Sequence, residues 1–372
     1  MKTAVFTRLV LARPRVAGIA AVTVAACGAA LASTGADAAG YSFQTINDPA
    51  QPPFIGTTFT NLMGITSNGD TIAGFYGSGQ AGDPNTGFVL TLPGKTFAPE
   101  NFPAMPQTQI TALNDIGTLT GYTYPTNNGV PVDFQFGFYE KGGVFTMVNN
   151  PKTPDCSVSG ACDSGVITEN QLIGVNNSDL AVGFYNDSHG NSHGYTFDIA
   201  TKTFSADINF PGAVSTVTAA INNSDEIAGF FTDSTGAIQG FIKDGSVFTS
   251  VEAPGAAETE LLGINDKGLA VGFECAVAGC SGGPQHGILF NSLTDTFTIL
   301  DPPGSTATTF NGLNDRGQIV GFFGDAKGNT DGVLGTPIPE PTTWVMMLAG
   351  FAGLGWLGLR HSRWPEPAPA AS

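Results

Sequence analysis

The chain has 372 residues, of which 50 are Gly, 24 are Pro and only 12% are charged. So many turn-forming residues favour an all-β protein with many hairpins, and the length suits one large or two ordinary domains. Between residues 39 and 338 the chain carries 8 Lys and Arg against 28 Asp and Glu, a net charge near −20. This charge argues against nucleic acid or anionic lipid as a partner, and it favours solubility and cation binding.

The first 38 residues have the pattern of a signal peptide. Basic residues precede an apolar run at 16–31, and the small-residue sequence "ADA" follows at 36–38. This order predicts export, with cleavage after Ala38. The alternative is a lipoprotein leader with Cys27 lipidated, because the small residues Val24, Ala25 and Ala26 precede it. The ordinary leader is favoured, since Cys27 lies inside the apolar run and a good cleavage site follows it.

One hairpin motif recurs six times in the chain. Its copies are "GITSNGDTIAGF" (64–75), "ALNDIGTLTGY" (112–122), "GVNNSDLAVGF" (174–184), "AINNSDEIAGF" (220–230), "GINDKGLAVGF" (263–273) and "GLNDRGQIVGF" (312–322). Equivalent turn positions are 48, 62, 46, 43 and 49 residues apart. This period fits one propeller blade, which needs four short strands.

Further strands follow each hairpin. Third strands such as "HGILF" (286–290) and fourth strands such as "FTILD" (297–301) complete a four-stranded meander. The last copy ends with a third strand, "DGVLG" (331–335), while "FQTINDP" (43–49) precedes the first copy as an unpaired fourth strand. If these two segments pair, residues 41–335 form a six-bladed β-propeller closed by its N-terminal strand, with no long sheet edge exposed.

The hairpin turn explains why the motif recurs. Its fourth residue is one that tolerates positive φ, namely Gly69, Gly117, Asp179, Asp225, Gly268 or Gly317. A second glycine lies within the returning strand, always before Phe or Tyr, at 74, 121, 183, 229, 272 and 321. We expect it to mark a bulge or a close backbone approach between blades. The repeated residues therefore indicate geometry rather than catalysis.

Two local cysteine pairs remain after the leader. Cys156 with Cys162 and Cys275 with Cys280 lie among Gly, Ser and Ala, so two small disulfides are predicted in an oxidising compartment. Zinc binding is the competing interpretation, disfavoured because the chain has only four His. Alternating strand direction places both pairs on the face that also carries the loops from each fourth strand to the next first strand. That face is the first place to look for a ligand.

Other candidate residues have simpler explanations. His193 and His286 share one repeat position, where a polar residue is expected to cap a strand rather than bind metal. The segment "DAKGNTDG" (325–332) has oxygen-bearing side chains at alternate positions, but it lacks the glycine and distal glutamate of a calcium loop. No catalytic set or phosphate loop can be argued. We therefore assign no catalytic residue, cofactor or metal ligand.

The C-terminal end has three consecutive features. Pro339-Glu340-Pro341 precedes an apolar stretch at 344–359, and the basic residues Arg360 and Arg363 follow it. Residues 337–363 resemble the PEP-CTERM sorting signal, which implies recognition by the protease-like membrane protein exosortase in a Gram-negative, polysaccharide-secreting bacterium. The apolar stretch is long enough for a thin bilayer, with the basic end cytoplasmic. The alternative is a plain membrane anchor. Residues 364–372 are predicted to be a disordered tail.

The repeats also resemble the HAF family of extracellular repeats. The match is carried by "HGY" (193–195), "HGI" (286–288), "FTILDPPG" (297–304) and "EAPGA" (252–256). This resemblance covers most of the chain after the leader and implies an exported location, with no defined activity.

These features favour a non-enzymatic protein. It is expected to be anchored briefly in the inner membrane, then processed and delivered to the cell surface or extracellular matrix. Its expected role is structural, adhesive or carbohydrate-binding in exopolysaccharide or biofilm. The alternative is a propeller-fold polysaccharide hydrolase or lyase. Buried, convergent carboxylates with shifted pKa values at the channel mouth would favour the enzyme, and a shallow polar face would favour binding.

Overall fold

The computed structural model describes residues 36–38, 40–47, 59–78, 84–127, 130–131, 134–280 and 283–338. Within these residues the protein is all β, apart from one turn of 3₁₀ helix at Ala278–Cys280. The predicted leader, except its last three residues, and the sorting signal from Pro339 onward lie outside the described residues.

Most strands pair with their neighbours in sequence, and we group them in chain order as sheets 1 to 6. Two strands come first, β1 (Ala36–Ala38) and β2 (Tyr41–Thr45). Sheet 1 contains β3 (Phe59–Ile65), β4 (Thr71–Gly77), β5 (Thr86–Thr91) and β6 (Thr96–Pro99). Sheet 2 contains β7 (Gln107–Leu113) and β8 (Leu119–Tyr124), then, after a small hairpin of β9 (Thr126–Asn127) and β10 (Val130–Pro131), β11 (Phe134–Lys141) and β12 (Val144–Val148).

The remaining sheets repeat this order. Sheet 3 contains β13 (Thr168–Val175), β14 (Leu180–Asn186), β15 (Ser192–Asp198) and β16 (Thr203–Phe204). Sheet 4 contains β17 (Ser215–Ile221), β18 (Ile227–Thr232), β19 (Ile238–Asp244) and β20 (Val247–Val251). Sheet 5 contains β21 (Glu258–Ile264), β22 (Leu269–Cys275), β23 (Gln285–Asn291) and β24 (Thr296–Leu300). Sheet 6 contains β25 (Ala307–Leu313), β26 (Ile319–Gly324) and β27 (Thr330–Pro337), with β2 paired to β27 and β1 paired to β2.

Sheet 6 joins the two ends of the described chain. Strand β2 pairs antiparallel with β27, with Phe43 opposite Gly335. Beyond β2, the N–H of Ile46 donates to the carbonyl of Gly332 over 2.8 Å. The ring of Phe43 is buried and stacks on Phe310 of the same sheet. The fourth strand of this sheet therefore comes from the beginning of the chain.

The recurring glycines lie at a distortion common to all six sheets. In each first strand the register shifts by one residue opposite the glycine, for example between Leu261 and Gly263, opposite Gly272. A Cβ on Gly272 would lie 1.8 Å from the carbonyl oxygen of Glu260. Any side chain here would collide with the paired strand. The predicted bulge is therefore present in each first strand, and the close approach lies within a sheet rather than between blades.

Neighbouring sheets pack face to face through apolar side chains. A buried cluster lies between each consecutive pair of sheets, from sheets 1 and 2 to sheets 5 and 6. A further cluster joins sheet 6 to sheet 1, where Val320 and Leu334 pack with Leu62 and Ile72. Each sheet thus buries both faces, and the first strands lie innermost, around a common axis.

Candidate functional site: the central channel

The first residue of each hairpin turn connects its sheet to the next one. We call these six residues the turn ring: Thr66, Asn114, Asn176, Asn222, Asn265 and Asn314. In the five Asn members the Nδ2 amide donates to the backbone carbonyl of the next member over 2.8–3.2 Å. The last of these five bonds runs from Asn314 to Thr66. The same amides accept backbone N–H groups of their own turns through Oδ1. One side chain therefore braces its turn and joins two sheets.

The next residue of each turn forms a second set of links. We call this set the rim: Ser67, Asp115, Asn177, Asn223, Asp266 and Asp315. The backbone N–H of each of the first five donates to the side-chain Oδ1 of the following member over 2.7–3.0 Å. The rim supplies a link between sheets 1 and 2, where Thr66 has no amide. Together the two sets connect every sheet to the next, and sheet 6 to sheet 1.

The predicted turn residues have positive φ throughout. The values are 72° for Gly69, 86° for Gly117, 59° for Asp179, 64° for Asp225, 73° for Gly268 and 76° for Gly317. The two Asp residues use this conformation for inter-sheet bonds, because Asn114 donates to Asp179 and Asn176 donates to Asp225, over 3.1 and 2.8 Å. The Asp179 carboxylate also accepts a hydrogen bond from Thr118 Oγ1 and forms an ion pair with Lys141.

These partners set the ionisation of Asp179. Burial acts to raise its pKa, but the hydrogen bonds from Lys141, Thr118 and Asn114 outweigh burial and leave the pKa below its usual value. Asp115 in the rim behaves alike, because the Ser67 N–H and the Asn177 amide outweigh the effect of burial and lower its pKa. Both carboxylates are therefore charged at neutral pH.

A cavity of about 120 Å³ lies on the axis behind the rim. The hairpin turns and the ends of all six first strands line it, and three rim members are carboxylates. At neutral pH this mouth of the channel has a negative potential, with side-chain oxygens and amides as its polar groups. Such a mouth suits cations, water and hydroxyl-bearing molecules rather than anions.

A different polar cluster lies near the other end of the channel, between sheets 2 and 3. Burial raises the pKa of Glu169 to about 8, although hydrogen bonds from Asn186 and Gln171 oppose this shift. Nearby, Tyr122 donates to Gln109 Oε1, and burial raises the pKa of this tyrosine well above 10. At neutral pH Glu169 is therefore mostly a neutral carboxylic acid inside a cluster of amides and phenols.

The structure joins both predicted cysteine pairs. The Cα atoms of Cys156 and Cys162 are 5.2 Å apart, in the loop from β12 to β13, and those of Cys275 and Cys280 are 5.3 Å apart, in the loop from β22 to β23. The Cys156 N–H donates to Thr168 Oγ1, at the start of β13. The Gly279 N–H donates to the Glu258 carboxylate, at the start of β21. Both loops therefore lie on one face, which we call the loop face, opposite the turn ring.

The histidines and the calcium-like segment have local partners. His193 lies within 3.2 Å of Asp187, and His286 within 2.6 Å of Asp301. The Asp325 carboxylate accepts two backbone N–H groups of its own turn. Across the described residues, no group of three or more His, Cys, Asp or Glu side chains is placed to hold a metal ion. The described part of the chain also contains no helix long and apolar enough to span a bilayer.

Residues 337–363 match the family model for the PEP-CTERM protein-sorting motif, so the resemblance at this end of the chain is confirmed. The motif implies export, exosortase processing and cell-surface sorting in Gram-negative bacteria. The sorting-signal residues Pro339, Glu340, Pro341, Arg360 and Arg363 all fall within the match, outside the described residues. The HAF resemblance remains a prediction. No curated protein matches the chain.

Several solved structures are similar in outline. Trypanosoma rangeli sialidase is 8% identical with a TM-score of 0.47, covering 90% of this chain and 64% of its own. A mutant of AofleA from Arthrobotrys oligospora is 11% identical with a TM-score of 0.46, covering 79% and 86%. Oligogalacturonate lyase from Vibrio parahaemolyticus is 10% identical with a TM-score of 0.41, covering 83% and 99%. The chain thus spans under two-thirds of the sialidase, and likenesses this weak carry no functional argument.

The sequence indicated the turn residues and the cysteine pairs, but two features escaped it. The rim was missed because its members are Ser, Asp or Asn, which are common in turns where they bond only their own backbone. The Glu169 cluster was missed because its strand position holds unrelated residues in the other sheets, such as Gln107 and Ser215. A signal existed in the polar run "TENQ" (168–171), which is unusual for a wholly buried strand.

Proposed function

We propose that residues 41–335 form a six-bladed β-propeller closed by β2. The pairing of β2 with β27 supports it, as does the bond from Asn314 to Thr66. The apolar cluster between sheets 6 and 1 supports it further. A ring closed in this way leaves each sheet covered on both faces, which suits a protein exposed outside the cell.

On this scaffold we infer an exported, non-enzymatic protein of the surface or extracellular matrix, with a structural, adhesive or carbohydrate-binding role in exopolysaccharide. The observation that carries the proposal is the match of residues 337–363 to the sorting motif. The residues shared by the repeats support it, because they hold sheets together. The loop face is the proposed contact surface, since its loops differ from sheet to sheet and two are held by disulfides.

A polysaccharide hydrolase or lyase is the second candidate, favoured by one observation. Glu169, with a pKa of about 8, holds a proton at neutral pH, as a general acid must. Its carboxyl is completely buried and its neighbours are amides and phenols, so the non-enzymatic proposal remains the better supported. If Glu169→Gln abolishes a polysaccharide-degrading activity of the secreted protein without loss of folding, the enzyme candidate replaces the binding one.

The test of the proposal is the mass and location of the protein in cells with and without exosortase. Loss of the segment after about Pro339 only when exosortase is present, with the product at the surface or in the matrix, is the expected result. A variant with Pro339, Glu340 and Pro341 all changed to Ala should keep its tail in both strains. An intact wild-type tail in both strains would leave a membrane-anchored protein and contradict the matrix role.

A further inference from the structure

One position of the innermost strands is polar in five sheets and wholly buried in all six. We call it the inner ring: Asn61, Gln109, Gln171, Val217, Glu260 and Thr309. Each pairs with the aromatic residue that follows the recurring glycine, and none is more than 3% exposed. Buried polar side chains are destabilising unless they find partners. Five of them at one level of a channel therefore call for an explanation.

The inner ring lies on the innermost strands, next to the residues that line the channel cavity. Two residues further along the same strands, Ile173, Leu262, Asn311 and their equivalents line the channel cavity, and each of these residues lies at the register shift of its strand. Val217, the apolar member, belongs to one buried cluster with the cavity-lining residues Ile173 of sheet 3 and Leu262 of sheet 5. Inner-ring side chains therefore meet across sheets, one layer nearer the loop face than the cavity.

Several oxygens here have no donor. Among the described residues, Asn61 Oδ1, Gln171 Oε1 and Asn311 Oδ1 are buried side-chain acceptors without a hydrogen-bond partner. Gln171 is fixed in this orientation, because its Nε2 donates to Gln135 and to Glu169. Leaving such an acceptor unsatisfied costs about 1–3 kcal/mol. All three unpartnered atoms are hydrogen-bond acceptors, so an ion or molecule bound here must supply positive charge or hydrogen-bond donors.

The carboxyl group of the inner ring favours a cation over a neutral hydrogen-bond donor. Glu260, completely buried, contributes a carboxyl group at the same level as the two amide oxygens. Asn61, Gln171 and Glu260 belong to sheets 1, 3 and 5, so they approach the axis from three evenly spaced directions. Carboxylate and amide oxygens around one point are the ligand set of calcium.

We propose that the inner ring binds one calcium ion on the channel axis. Asn61 Oδ1, Gln171 Oε1 and the Glu260 carboxylate are its protein ligands, and water completes the coordination shell. Asn311, one layer closer to the turn ring, accepts a hydrogen bond from one of these waters. The proposal goes beyond the matrix role and departs from the sequence-based expectation of no metal. It differs from the "DAKGNTDG" segment, whose first carboxylate is engaged by its own turn.

The test is titration calorimetry with calcium chloride on the chelator-treated, full-length protein. One site per chain is expected, together with a rise in the unfolding temperature. Glu260→Gln should weaken binding at least tenfold. Asn61→Leu should also weaken it, and should raise the stability of the calcium-free protein because it removes an unpartnered acceptor. If Glu260→Gln does not fold, the calcium affinity of Asn61→Leu tests the proposal alone.

The matched control is Asp325→Asn, which keeps its turn-bracing oxygen and removes the charge of the calcium-like segment. It should bind calcium like the wild type. Absence of calcium binding by the wild type, which would leave the channel to water, overturns the proposal. So does unchanged affinity in Asn61→Leu, or loss of binding in Asp325→Asn.

Discussion

The two ends of the central channel use polar side chains in different ways. At the turn end, amides and carboxylates repeat from sheet to sheet, and each has a defined partner in the next sheet. Towards the loop face, the inner ring holds Asn, Gln, Val, Glu or Thr, and some of its oxygens have no partner. The comparison suggests that residues shared by the repeats build the ring, whereas residues that differ are available for a specific task.

The largest expected effect comes from a shared backbone feature. Gly272→Ala would place a Cβ against the carbonyl oxygen of Glu260, which lies in a paired strand and cannot move aside. We expect a loss of more than about 3 kcal/mol in the free energy of unfolding, measured by urea denaturation. Gly94→Ala is the control, because its nearest neighbour is 3.6 Å away, and it should change stability by less than about 0.5 kcal/mol. Equal effects of the two variants would contradict the packing described here.

The loop-face end should respond to pH through Glu169. Its folded pKa, about 8, lies above the value of 4.5 for an unperturbed glutamate. The folded protein therefore binds the proton more tightly than the unfolded chain, and this contribution is complete below pH 4.5 and is lost as the pH rises through 8. We expect Glu169→Gln to remove a stability loss on the order of 3 kcal/mol between pH 5 and pH 9.

The measurement is the difference in unfolding free energy between wild type and Glu169→Gln as a function of pH. Asp155→Asn is the control, because it removes an exposed carboxylate beside the Cys156–Cys162 loop and keeps the oxygen that accepts the Ser157 N–H, so the pH profile should stay that of the wild type. A wild-type profile that Glu169→Gln does not flatten would show that this carboxyl is charged in the folded protein.

The turn end should respond to loss of a turn-ring amide. Asn265→Ala removes the bond to Asn314 and both bonds to its own turn. Buried backbone groups then lose their partners, so we expect a loss of about 2 kcal/mol by thermal or urea unfolding. Asn329→Ala, in an exposed turn, should cost less than about 1 kcal/mol. Similar costs for both would mean that the turn ring does not bind the sheets together.

The smallest expected effects on stability come from substitutions at the two Asp turn residues, Asp179 and Asp225. Asp225→Gly loses one bond from Asn176 but relieves the left-handed backbone, so the two effects should nearly cancel, within about 1 kcal/mol. Asp179→Gly loses the bonds from Asn114, Thr118 and Lys141, and should cost about 1 kcal/mol more. Urea unfolding of both variants ranks them. A more stable Asp179→Gly would contradict the inter-sheet role of that carboxylate.

The sequence predicted what depends on local backbone geometry. Gly268 and Asp179 could be recognised as turn residues, because positive φ restricts the choice of residue wherever the turn recurs. The order of strands followed from the same repeats. Contacts between sheets were less accessible: the bond from the Ser67 N–H to Asp115 joins residues 48 positions apart, and nothing local distinguishes this Asp from a turn brace. Burial of Glu169 and Glu260 was hidden for the same reason, since it depends on neighbours from other sheets.

The central claim is that the beginning of the chain completes the last sheet of the ring. Hydrogen exchange measured by mass spectrometry tests it directly, with β24 as an internal reference because it holds the equivalent position in sheet 5. The account predicts that amides of Tyr41–Thr45 exchange as slowly as those of Thr296–Leu300. Exchange of Tyr41–Thr45 at the rate of an unfolded peptide, with Thr296–Leu300 still protected, would contradict closure by β2.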